Sequence, residues 1–188
     1  MVKMFCINIL RLFPSLIFMF GITGCSWLIP EDEEFTFDRL NYTGSSLIID
    51  GYYFDIFESE WQGQMQTMYS IMFFFRNGIT LVGDFPTNQE LAAEEESYRN
   101  GQYYQNEKQN KLKWGIFKVD GDVITREIWS NPNGTYLVTI QKILILNDST
   151  IQFTSSERID GSGKKSLNNT YHFKPFSPKP DSVVSFIP

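Results

Sequence analysis

Only two residues, Asn77-Gly78, separate the apolar runs MYSIMFFFR (68–76) and ITLVG (79–83). So short a link between β-patterned runs fits a tight hairpin, and Asn-Gly supplies the positive φ that a type I′ turn needs at both central positions. The arrangement recurs along the chain. LIIDGYYFDIF (47–57) comes first, and KWGIFKV (113–119) meets DVITREIW (122–129) at Asp120-Gly121. TYLVTIQKILIL (135–146) follows NPNG, IQFTSSERI (151–159) follows NDST, and NTYHFKPF (169–176) follows DGSGKKS. Eight runs rich in β-branched and aromatic residues, nearly all joined by turn chemistry, predict an all-β fold.

Eight consecutive antiparallel strands suit an up-and-down barrel, which leaves no exposed edge. An open sandwich of the same strands is the competing architecture. Alternation supports strand structure: Val123, Thr125, Glu127 and Trp129 oppose Ile124, Arg126 and Ile128. Further on, Tyr136, Val138, Ile140 and Leu144 share a face, with Lys142 the exception. One stretch breaks the pattern. Residues 86–111 are polar, acidic and almost free of β-branched residues. Asn88 can cap a helix from about Gln89 to Arg99 that Gly101 ends, with Glu94 to Glu96 outward and Leu91, Ala92 and Tyr98 inward. This predicts one short helical flap between strands three and four, across a barrel mouth or side. The alternative is a solvated excursion without functional meaning.

The N-terminus reads as an address. Residues 1–24 hold Lys3 and Arg11 and no acid, then the apolar run LFPSLIFMFGI (12–22) and small residues, the three parts of a secretory signal. The run is shorter than the ~20 residues a bilayer-spanning helix needs. ITGC (22–25) resembles the lipobox of bacterial lipoproteins. That resemblance implies cleavage after Gly24 and acyl chains such as palmitate on Cys25, which join the domain to the membrane. Ser26 after the acceptor does not resemble an inner-membrane retention signal, and PEDEE (30–34) resembles the acidic export signals of Bacteroidetes surface lipoproteins. The expected location is the outer membrane, facing periplasm or cell surface. Residues 25–46 are expected to form the lipidated tether, and 47–188 the barrel domain with an extended, proline-rich tail. Without residues 1–24, 14 basic residues (16 less Lys3 and Arg11) face 22 acidic ones, a net charge of −8. Such a charge disfavours nucleic acid and anionic surfaces as partners.

Within the domain, KWGIFKVDGDVITREIW, ILNDSTIQF and the tail YHFKPFSPKPDSVVSFIP resemble the lipocalin-like lipoproteins of Bacteroides and its relatives, over most of 47–188. The resemblance implies a small secreted barrel and carries over no functional residues. Where lipocalins have Gly-x-Trp, Gly51-Tyr52-Tyr53 stands instead. By resemblance to the periplasmic O-glycosylation sequon, Ser149 in DST and Ser182 in DSV are candidate acceptors.

Little else points to chemistry. Beyond Cys6 and Cys25 there is no cysteine, and His172 is the one histidine, so neither a metal site nor a cofactor is expected. His172 lacks the nucleophile elbow of a serine hydrolase. Asp50, Asp55 and Glu127 are carboxylates within strands, and a glycosidase would need two at a defined separation. The Asp120-Gly121-Asp122 and Asp160-Gly161 sequences read as turns. Aromatic residues are the surplus, at 16% of the chain. Tyr53, Phe74, Trp114, Phe117 and Trp129 are the candidates for lining a ligand cavity, although they can equally fill a narrow barrel. The expected function is a non-enzymatic binding module for a small apolar or glycan ligand. The alternative is a protein-interaction component of an envelope assembly.

Overall fold

The computed structural model describes residues 31–61 and 63–188. Eight antiparallel strands close into a barrel in chain order: β1 (Gly51–Trp61), β2 (Gln64–Phe74), β3 (Ile79–Val82), β4 (Trp114–Asp120), β5 (Val123–Ser130), β6 (Leu137–Asn147), β7 (Thr150–Arg158) and β8 (Lys165–Pro175). The all-β barrel is therefore as expected, and the open sandwich is not formed. Two helices, α1 (Leu91–Arg99) and α2 (Gln102–Glu107), lie between β3 and β4, followed by a 3₁₀ turn at Lys111–Lys113. Among the described residues no helix is long and apolar enough to cross a membrane. The signal segment, the lipobox and Cys25 lie outside the described residues.

The β2–β3 hairpin closes through three residues, Arg76, Asn77 and Gly78, and not through the expected two-residue type I′ turn: the Gly78 amide donates to the Phe75 carbonyl at 3.0 Å. Gly78 has φ +79°, and the Phe75 amide bonds the Ile79 carbonyl at 2.9 Å across the turn. A Cβ on Gly78 would also stand 2.2 Å from the Leu40 carbonyl oxygen, so two independent constraints call for glycine there.

Side chains alternate between two buried clusters on opposite sides of the wall. Tyr53, Met72, Phe74, Phe117, Ile124, Ile143, Ile145, Ile151 and Phe153 point into the lumen. Tyr42, Leu47 and Ile49 join them, so residues 47–50, expected as the start of the first strand, instead help to plug one barrel end. The second cluster lies outside: Tyr52, Ile71, Phe73, Leu81, Trp114, Ile116 and Trp129 meet Tyr98 and Tyr103 of the helices and Phe176, Val184 and Ile187 of the tail. This double burial explains why both faces of IMFFF are apolar. The segment from Glu33 to Phe37 also packs on the wall, where the Trp129 indole donates to the Glu33 carbonyl at 2.9 Å.

The flap covers the side of the barrel and not its mouth. Its helix begins at Leu91, not Gln89, and Asn88 does not cap it: the Asn88 amide oxygen accepts from the Tyr69 hydroxyl, while the Glu90 carboxylate takes the Thr87 amide and hydroxyl. Gly101, at φ +77°, ends it as expected. Ala92 is exposed and Glu95 is buried, the reverse of the expected faces. The reason is electrostatic. Glu95 Oε1 accepts from Tyr52 at 2.6 Å and from Lys174 at 2.5 Å, and Arg99 donates to Oε2 at 3.3 Å. Burial pushes this carboxyl up, but the bonds from Lys174 and Tyr52 and the charges of Lys174 and Arg99 outweigh it and hold it below its ordinary value. A lowered carboxyl contributes stability above its unfolded pKa and loses it as pH falls through the folded one. Glu95→Gln is expected to destabilise the fold by about 1–2 kcal/mol at neutral pH, since the exposed ends of Lys174 and Arg99 weaken their pairing. Chemical denaturation should show that difference shrinking in acid below the ordinary carboxylate range, and an unchanged difference there would contradict the assignment.

Candidate functional site

The lumen has two unlike halves. Towards the β2–β3, β4–β5 and β6–β7 turns it is filled by rings. Tyr53 stands edge-on to Phe74 at 5.7 Å, Phe74 to Phe117 at 5.0 Å, and Tyr42 closes on Phe117 at 5.9 Å. Such contacts add about 0.5–1.5 kcal/mol each to the burial itself. Towards the other end most inward positions are polar: Ser70 on β2, Thr139 and Gln141 on β6, Ser156 on β7 and Tyr171 on β8, with Ile128 of β5 beside Thr139. Thr139, Gln141, Ser156 and Tyr171 are half-buried, so solvent reaches this half of the lumen.

Arg126 stands at the boundary. Its neighbours on β5, Ile124 and Ile128, share its inward face, which is how strand alternation brings a charge inside. It pairs with Phe117 on one side and Gln141 on the other and is only 2% exposed. Nε donates to the Thr80 hydroxyl at 2.9 Å and Nη1 to Gln141 Oε1 at 2.7 Å. Thr80 lies two strands away, and inward-facing Gly115 on the intervening strand leaves that reach clear. A Cβ on Gly115 would sit 3.1 Å from Thr80 Oγ1 and 2.3 Å from the Glu127 carbonyl. Nη2 has no partner among the described residues. Burial pushes the guanidinium down to about 10, and the nearby Tyr171 phenol only partly opposes that.

The Tyr171 hydroxyl and Ser70 hydroxyl are 2.8 Å apart across the lumen. Above them the wall parts. β1 and β8 pair only from Gly51–Phe54 to Pro175–His172, whereas β1 continues with β2 as far as Trp61. Half-buried Asp55 and exposed Asn169 border this gap, with Asn169 Nδ2 donating to Asp55 Oδ2 at 3.4 Å. Phe57 and Phe85, with ring centroids 6.0 Å apart, lie beyond it at the rim.

The five candidate ligand-lining aromatics divide. Tyr53, Phe74 and Phe117 form the lumen floor, whereas Trp114 and Trp129 lie on the outer wall, and all five are buried. Phe117 also borders a surface cleft of about 610 Å³ beside the 40–46 loop, and Trp129 one of about 460 Å³ with Phe35, Phe37 and the chain's own C-terminus. Neither cleft contains a buried charge. The carboxylates are not brought together. Glu127 is buried on the outer wall, where it takes the Thr36 amide at 2.7 Å and the Thr36 hydroxyl, and Asp55 faces the lumen. His172 is exposed, with its ring 6.3 Å from Phe54. Among the described residues no three His, Cys, Asp or Glu side chains form a group able to hold a metal. Ser149 is exposed in the β6–β7 turn, and the Ser182 hydroxyl accepts from Asn77 at 3.0 Å.

Arg126, Gln141, Ser70 and Tyr171 were not among the sequence candidates. The one signal for Arg126 was a charge between two isoleucines on the same strand face. Comparison with protein families, with curated proteins and with solved structures finds no match to this chain.

Proposed function

We propose that the protein is a bacterial envelope lipoprotein, held at the outer membrane by acyl chains on Cys25, whose barrel binds one small ligand without transforming it. The observation that supports this reading is the divided lumen. An eight-stranded barrel holds side chains or one small ligand, and here the packed rings lie in one half only. The other half presents hydroxyl and amide groups beside Ile128, is reached by solvent and is bordered by a gap in the wall. A few placed polar groups above an apolar floor are what a ligand site needs for orientation and affinity. Among the described residues no group of three His, Cys, Asp or Glu side chains able to hold a metal accompanies them.

Native mass spectrometry of the full chain, released gently from the membranes of a bacterial host, tests this. The expected spectrum carries the acyl mass on Cys25 plus a second mass that leaves on denaturation. An acylated chain with no second mass, even after incubation with envelope lipids and glycans, would move the reading to interaction with an envelope protein.

A further inference from the structure

The ligand's chemical class follows from the charge at the bottom of the polar half, an inference that rests on the binding reading above. We infer that the lumen recognises a small monocarboxylate, whose oxygens bond Arg126 Nη2 and, in place of their mutual bond, the hydroxyls of Tyr171 and Ser70, with its apolar body towards Phe57 and Phe85. A guanidinium taken out of water without a counter-charge is strongly unfavourable, and a fold retains one where something else compensates it. Here nothing in the wall does so. Among the described residues no carboxylate comes within ion-pair distance of Arg126, and its two hydrogen bonds go to the neutral groups of Thr80 and Gln141. Those bonds fix Nε and Nη1 and leave Nη2 as the unpartnered corner.

The groups around it are donors suited to one anion. Tyr171 lies near enough to act electrostatically on Arg126, and its hydroxyl meets that of Ser70. An arginine edge flanked by hydroxyls matches the planar, two-oxygen shape of a carboxylate. Charge sets the limit at one. Asp55 faces the same lumen from β1 and acts electrostatically on Tyr171, so a second negative charge on the ligand would be repelled. Space sets the length, because the ring-filled floor keeps the ligand in the polar half and at the rim.

The test is calorimetric titration of the full chain with sodium hexanoate, its neutral counterpart 1-hexanol, and inorganic phosphate. Saturable binding of hexanoate is expected, at least tenfold tighter than hexanol and weakened at least tenfold by Arg126→Gln. Tyr171→Phe should weaken it less, by about threefold to tenfold, with folding of both variants checked by circular dichroism. Equal binding of hexanoate and hexanol, unchanged by Arg126→Gln, would overturn the carboxylate and leave the binding reading in place. Phosphate binding without hexanoate would overturn the monocarboxylate in favour of another anion. If none of the three binds while native mass spectrometry still shows a second mass, the ligand class proposed here is wrong and the binding reading stands. If both experiments are blank, both fall.

Discussion

Arg126→Met is expected to stabilise the fold by about 1–3 kcal/mol while abolishing carboxylate binding. Replacing a buried charge by an apolar side chain of similar volume removes a desolvation penalty of several kcal/mol. Against that stand the lost bonds to Thr80 and Gln141, each worth about 1 kcal/mol, more if the remaining partner stays buried and unpaired. Gln141 is half-buried and can turn to water, so the loss falls mainly on Thr80, which is fully buried. Removing the charge wins. Denaturant unfolding of the two proteins, without added ligand, measures the difference. A gain in stability with a loss of binding identifies a residue kept for its ligand at the expense of the fold. Destabilisation by 3 kcal/mol or more would show that the wall itself satisfies Arg126.

The second large effect is unfolding in base. Tyr52, Tyr53, Tyr98 and Tyr103 are buried, and burial, the leading cause for each, raises every one of these phenols well above its ordinary value. Nearby carboxylates add to the rise, Glu95 for Tyr52 and Glu94 for Tyr98. For a raised acid the native state keeps the proton that the unfolded chain releases. Its stability is fully present below the unfolded value of about 10 and falls as pH rises beyond it. Each tyrosine then removes about 1.4 kcal/mol per pH unit, and four together remove about 5. A fold of ordinary stability, about 5–15 kcal/mol, should therefore collapse cooperatively within one to three pH units above 10. Phenolate absorbance of these four should appear only with the loss of the circular dichroism signal. Tyr98→Phe should make that loss shallower by about a quarter. Phenols that ionise near pH 10 while the barrel stays folded would contradict the packing described.

The architecture was largely legible because its signals are local. Asn77-Gly78, Asp120-Gly121 and the alternation of 123–129 each depend on neighbours within a few residues; the alternation stands as expected, and the two turns form within one residue of the expected place, as residues 76–78 and Gly121-Asp122. What the sequence concealed depends on distant partners. Helix patterning placed Glu95 outward, but Tyr52 and Lys174, from opposite ends of the domain, draw it in. Leu47 and Ile49 continue a strand pattern, yet their burial with Tyr42 makes them a plug. The five aromatic candidates illustrate the same limit. Composition marks a surplus of rings, but the strand register decides which side of the wall each ring joins. It puts Trp114 outside and Phe117 inside, three residues apart on one strand. Arg126 could be placed on a face by alternation alone. That this face was the lumen, and that no carboxylate met it there, required all eight strands.

A high-resolution crystal structure of the full chain grown with hexanoate is the most direct test of an Arg126-centred ligand site. The carboxylate is expected within hydrogen-bond distance of Arg126 Nη2 and of the Tyr171 hydroxyl, its chain directed to the rim. Hexanoate elsewhere, with Arg126 held by the wall and ordered water alone, would contradict it.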